Sequence, residues 1–203
     1  MGKKKKRKDN HRLLFPTTIW TVNDLISAEE NDKISEHIVQ SKVNGKGEES
    51  WLSGAQSPAN SFGAEKSVRE HPIFTNLLNS IDNQLYKFTE LLKFRIEEIN
   101  KRDWWWNVYE DSTQYQEFHD HIPYYFSAVY FCKAPKGSAP LTFRPPNFNH
   151  WRGYHSEKNQ FNADVESIEP VERSLVIFPS NLIHCVTGGS NTEPRITIAL
   201  NYG

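Results

Sequence analysis

Cysteine is scarce: the 203 residues include only Cys132 and Cys185, and neither stands in a C-x-x-C pair. A disulfide framework or a cysteine-ligated zinc site is therefore not expected, and a reducing compartment is the default. Long apolar runs are also missing, so no stretch reads as a transmembrane span. Lys3 to Lys8 lead straight into Asp9, Asn10 and His11 without the apolar core of a signal peptide. The expectation is a soluble cytoplasmic protein. Neither sign of charge is in excess: the net charge is −1, which argues neither for nor against a polyanionic partner.

Aromatic side chains are what the chain has in quantity. Hydrophobic residues make up 37%, a low share, yet 12 Phe, 8 Tyr and 6 Trp supply enough bulk for a packed interior. The length fits one domain.

The basic run at residues 1–12 reads as a solvated, disordered tail, with a nuclear-import signal or a phosphate-binding arm as the functional alternative. A single domain is expected over 13–203. Ile19-Trp20-Thr21-Val22 is β-like. Ser27-Ala28-Glu29-Glu30 is a capping-box pattern, with Ile34 and Ile38 following at helical spacing, and predicts a helix from about Ser27 to Ser41. The Gly-, Ser-, Asn- and Pro-rich stretch Asn44 to Gly63 predicts a loop, anchored by Trp51 and Phe62. Pro72 suits the first turn of a second helix. Beyond it Ile73, Phe74, Leu77, Leu78, Ile81, Leu85, Phe88, Leu91 and Leu92 form a helical stripe that belongs to a core.

Past Arg102 the texture changes to short aromatic or β-branched runs at 104–109, 126–131, 141–143, 174–178 and 196–200, separated by turn residues. The expected fold is mainly β with N-terminal helices. A helical part over about 24–100 packs on one sheet of a jelly-roll core over about 103–203, a cupin-like double-stranded β-helix.

Two histidines, His119 and His121, precede a strand, and in extended chain both imidazoles face the same way while Asp120 faces the other. His184 follows the run Phe178-Pro179-Ser180-Asn181-Leu182-Ile183 as a strand enters a turn. A pair from one strand and a single ligand from a distant one can hold a metal on three adjacent positions and leave the opposite ones open. His-x-His alone is as often structural as metal-binding. Arg195 strengthens the metal reading, because it shares a strand face with Thr197 and a buried guanidinium suits a carboxylate. Glu117-Phe118-His119 is a lesser candidate, supplying a carboxylate instead. Of the other histidines, His11 falls in the tail, His37 in a helix and His71 beside Pro72. His150 and His155 lie in the aromatic stretch within 147–160, either a lid over the site or a self-packed loop. Trp104-Trp105-Trp106 has no basic residues following it along the strand, so core packing is expected and nucleic acid is not.

The blocks Leu14-Phe15-Pro16-Thr17, Trp106-Asn107, His119-Asp120-His121, Ser127 to Phe131, Leu175 to Val186 and Pro194 to Asn201 together resemble the 2OG-Fe(II) oxygenases of bacteria and marine bacteriophages, relatives of the prolyl 4-hydroxylases. The resemblance runs over most of the chain after the basic tail. It implies Fe(II) held by His119, His121 and His184, and 2-oxoglutarate held through its distal carboxylate by Arg195 and Thr197. Tyr109 and Ser127 stand where relatives touch the co-substrate. O₂ would be the oxidant, and a peptide, protein side chain or small molecule the substrate; a phage gene would place the protein in host cytoplasm. Two departures stand out: His121 where the superfamily has Asp or Glu, and Phe131 where relatives often have tyrosine. Two rival readings are a three-histidine, cupin-like dioxygenase that does not use 2-oxoglutarate, and a non-enzymatic metal-binding jelly roll. The sequence is silent on oligomeric state.

Overall fold

A computed structural model describes residues 16–44, 71–95, 99, 101–145, 156–157, 159 and 162–203. The basic tail, Trp51, Phe62, His150, Trp151 and His155 lie outside the described residues, as do the tail boundary and most of 147–160.

The first helix, α1 (Ala28–Asn44), starts where the capping box places it. The Ser27 hydroxyl accepts the Glu30 N–H at 3.2 Å, and the Glu30 carboxylate accepts the Ser27 N–H at 3.3 Å. The proline start is a single 3₁₀ turn, Pro72–Phe74, which runs into α2 (Thr75–Leu92). The apolar stripe of α2 is buried through Leu77, Ile81, Leu85 and Phe88. It ends early: Leu91 is 59% exposed.

Nine strands form two antiparallel sheets among the described residues. The larger sheet orders β1 (Trp20–Val22), β7 (Leu175–Pro179), β4 (Phe126–Lys133), β9 (Arg195–Tyr202) and β2 (Lys101–Tyr109). The smaller orders β3 (Gln116–His119), β8 (His184–Val186), β5 (Leu141–Phe143) and β6 (Glu166–Ile168). This is the expected jelly roll with helices on one sheet. The aromatic runs became β2, β4, β5, β7 and β9; β3, β6 and β8, three or four residues each, carry too little pattern to stand out.

Alternation along the larger sheet sorts its two faces. Ile196, Ile198, Leu200 and Tyr202 of β9, with Trp106, Val108, Ala128 and Tyr130, pack with the helices in one cluster. Polar anchors secure that layer: Asn31 on α1 donates to the Cys132 carbonyl at 2.9 Å, and the Tyr202 hydroxyl donates to Asp82 at 2.8 Å. The opposite face looks into the barrel. Its cluster holds Tyr109, Phe131, Val176 and Phe178 against Leu141, Phe143 and Val186 of the smaller sheet. Strand β9 is buried at every position, so three polar residues of its inward set, Arg195, Thr197 and Asn201, are closed off from water along with Ala199.

Candidate metal centre

Strand β3 ends at His119, and β8 begins at His184, its antiparallel partner in the smaller sheet. His121 comes after the strand, its N–H bonded to the Ser180 carbonyl at 2.9 Å in the turn after β7. The pair therefore straddles the end of β3 instead of leading into a strand, and convergence comes from this turn-to-turn bond as well as from extended-chain geometry. The exposed Asp120 points away, its carboxylate accepting the Ile122 N–H at 3.2 Å. The three rings meet, with centroid separations of 5.0, 4.3 and 5.1 Å. One ligand atom from each lies within 4.8 Å of the others, and Glu117 is not part of the group.

The donor set fits a divalent metal. His119 Nδ1 lies 2.6 Å from the Glu117 carbonyl and His184 Nδ1 lies 2.9 Å from the Leu182 carbonyl. A carbonyl only accepts, so in both rings Nδ1 carries the proton and Nε2 keeps its lone pair, the outer support that metal-binding histidines use. Burial lowers the pKa of all three imidazoles, to about 4 for His121 and about 3 for His184, with the neighbouring His119 adding to both shifts. They are neutral at pH 7, as ligation requires.

Across the barrel, Arg195 is buried at 1% exposure, and among the described residues its guanidinium nitrogens make no well-formed hydrogen bond, the Tyr109 hydroxyl being the polar group that acts on it. Its charge lies between the Tyr109 ring at 4.6 Å and the Phe131 ring at 5.5 Å. The Tyr109 hydroxyl is also buried, with no well-formed hydrogen bond among the described residues, and its pKa is pushed up to about 12 by burial, opposed by the charge and the polar contact of Arg195. A buried cation beside a hydroxyl has the chemistry to pair with an anion. Thr197 and Ala199 continue the inward face of β9 from Arg195 toward the histidines, since Ala199 packs on Trp105 and Trp105 meets His121 at 5.6 Å. Asn107 pairs with Thr197 across the sheet and accepts from Gln116 at 3.2 Å.

Ser127 differs from the other expected residues. Its hydroxyl lies 2.8 Å from both Asn201 Oδ1 and the Ser180 hydroxyl, in a buried trio beside the turn that carries His121. Trp105 was not singled out by the sequence. Trp104 and Trp106 pack against Phe74 under the helices as expected, but Trp105 points to the other face. Strict alternation through Trp104-Trp105-Trp106 was the signal for it.

Fold and site together define a jelly-roll protein whose three clustered histidines could hold a metal, with a buried arginine across the barrel. Residues 103–201 match the family model described as "Putative 2OG-Fe(II) oxygenase", and over these residues the chain is similar to enzymes that use non-haem iron, 2-oxoglutarate and O₂. A search of curated proteins found no match. Among solved structures, the chain is similar to a prolyl hydroxylase from Trichoplax adhaerens in complex with a hypoxia inducible factor peptide. The TM-score is 0.66 at 15% identity, over 91% of this chain and 82% of that one. A Pseudomonas putida prolyl-4-hydroxylase gives 0.62 at 13% identity over 92% of both chains. HygX from Streptomyces hygroscopicus, solved with nickel and 2-oxoglutarate bound, gives 0.61 at 10% identity over 92% of this chain and 83% of that one. These likenesses concern the fold. Among the described residues no helix is long and apolar enough to cross a membrane.

Proposed function

We propose that this chain hydroxylates an unactivated C–H bond of a peptide or protein side chain, with His119, His121 and His184 holding the iron and Arg195 holding 2-oxoglutarate. When bound, Fe(II) supplies the coupling of O₂ reduction to the decarboxylation of 2-oxoglutarate and the oxidation of substrate. The protein's part is placement. Arg195 pairs with the distal carboxylate, and Thr197, on the same strand face, offers a second donor. The Tyr109 hydroxyl donates from across the strand pair, which compensates for the missing hydroxyl at Phe131. Ser127 acts through its trio, keeping the Ser180 turn and hence His121 in position. Trp105 and Phe178 wall the histidines, Phe178 lying 4.8 Å from His184, and keep water from the reacting face.

The observation that carries this reading is the buried guanidinium of Arg195, without a well-formed hydrogen bond among the described residues, on the strand face that leads to the histidines. A non-enzymatic metal site has no use for it, and an oxygenase that dispenses with 2-oxoglutarate has none either. The peptide substrate draws on the prolyl hydroxylases that share the fold.

The test is succinate release by the purified protein supplied with Fe(II), ascorbate and 2-oxoglutarate, without and with proline-containing peptides. Succinate release that peptide accelerates, and that Arg195→Ala abolishes, is the expected result. If neither succinate release nor 2-oxoglutarate binding can be measured, the reading is wrong. Turnover that no peptide stimulates removes the peptide substrate and keeps the oxygenase.

A further inference from the structure

In a regular strand, residues three apart face opposite sides of the sheet. Gln116 and His119 of β3 break that rule, and both look into the barrel. Gln116 donates to Asn107 on β2 at 3.2 Å, and the His119 ring lies 4.3 Å from that of His184. The register shows why. Gln116 stands opposite Val186 and His119 opposite His184, so β3 takes three steps where β8 takes two (119 − 116 against 186 − 184). The extra residue makes a β-bulge at Glu117-Phe118.

The bulge does more than turn His119 inward. Carbonyls of a regular strand point along the sheet, roughly at right angles to the side chains, so a strand histidine does not reach the carbonyl two residues before it. Here His119 Nδ1 lies 2.6 Å from the Glu117 carbonyl. His184 makes the same contact by another route, with Leu182 in the turn ahead of β8 at 2.9 Å. Both ligands thus depend on irregular backbone just before them. Arg144, which follows β5, touches both pieces. Its N–H bonds to the Ile183 carbonyl at 2.9 Å, and its guanidinium carbon lies 3.8 Å from the centre of the Phe118 ring.

Resting on the metal-centre reading above, we propose that Gln116 is a positioning residue for His119. Its bond to Asn107 inside the barrel, with the contact of Arg144 and Phe118 outside, holds the bulge that carries the Glu117 carbonyl to His119 Nδ1 and leaves Nε2 for the metal. A slip of one residue would turn the side chains of β3 to the other face. The buried amide pair opposes that slip, because turning Gln116 outward strands the Asn107 oxygen inside the barrel without its donor.

The tautomer of His119 reports on the bulge without any metal. It is read on the metal-free full chain with isotope-labelled histidine, by long-range proton–nitrogen correlation spectra. Co(II) binding is then followed on the same samples by visible absorption. In the wild type His119 and His184 should both carry the proton on Nδ1. Gln116→Met, close in length but without a donor, should move His119 toward the Nε2–H form and leave His184 unchanged. It should also weaken Co(II) binding about tenfold or more, the scale of losing a ligand's outer support. Asn107→Ala should do the same, and the double variant little more, since both remove one bond. A wild-type His119 protonated on Nε2 overturns the proposal. An unchanged tautomer or an unchanged cobalt affinity in Gln116→Met overturns it too. So does a variant in which His184 loses its tautomer equally, the mark of general loosening. A wild type that binds no Co(II) removes the metal reading and this proposal with it. Should one single variant fail to fold, the other carries the same expectations.

Discussion

Arg195 is the residue on which the reading of this protein turns. Its charge is buried between two aromatic faces, which offset part of its desolvation, and burial lowers its pKa. Among the described residues no well-formed hydrogen bond satisfies it, the Tyr109 hydroxyl being the polar group that acts on it. Its retention therefore costs stability in the ligand-free protein, and that cost is recovered when an anion binds. Arg195→Met, close in length and apolar, should raise the melting temperature of the ligand-free protein, by an amount equivalent to about 1 kcal/mol or more. The same variant should lose the thermal shift that 2-oxoglutarate gives the wild type. A variant that melts lower, or that 2-oxoglutarate still stabilises, contradicts this account. The arginine itself was legible from the sequence, because Arg195 and Thr197 alternate with Ile196 and Ile198 along a strand. That its neighbours would be two aromatic rings and a hydroxyl was not, since that depends on what Tyr109 and Phe131 present from two other strands.

Among the elements, α2 shows how far local pattern reaches. Its stripe, its proline start and its length were set by residue spacing, and the buried positions follow the spacing closely as far as Phe88. Its end is a Schellman motif: the Phe94 N–H bonds to the Thr89 carbonyl at 3.0 Å and the Lys93 N–H to the Glu90 carbonyl at 3.2 Å. Lys93 takes the left-handed conformation there, with φ of 53°, where glycine is the usual residue. Lys93→Gly should therefore stabilise the protein by about 1 kcal/mol, the cost of a left-handed side-chain-bearing residue. Urea unfolding checks it, and a lower midpoint counts against it. The short strands β3, β6 and β8 mark the other limit. Three or four residues, some of them His, Glu or Gln for reasons of chemistry, leave no room for a period-two signal.

At the scale of the whole molecule, the histidine cluster exists only when the chain is folded, so its protonation is linked to folding. The folded-state pKa values lie below the ordinary 6.5, at about 4 for His121 and about 3 for His184, with His119 also lowered. Below pH 6.5 the unfolded chain takes up protons that the folded chain refuses. Stability is therefore fully present above 6.5 and is lost as pH falls toward those lower values. Melting of the metal-free protein between pH 7 and pH 5 should show a falling midpoint, and His184→Asn should flatten the slope. A wild-type midpoint independent of pH in that window would refute the linkage.

Local physics explains what the sequence determined alone. Periods of two and of three to four residues, a capping box and a proline place helices and long strands, because these depend on neighbours in the chain. The candidates His119, His121, His184 and Arg195 were equally legible, as residue types that a metal and a dicarboxylate require. Tertiary structure decided the rest. The bond between His121 and Ser180 brings turns 59 residues apart in the chain together (180 − 121), and strand pairing of β3 with β8 sets His119 against His184. The pleat of β2 turns Trp105 alone of its three tryptophans toward the metal centre. None of these is a property of any short segment, since each is fixed by which strands lie side by side in the closed barrel.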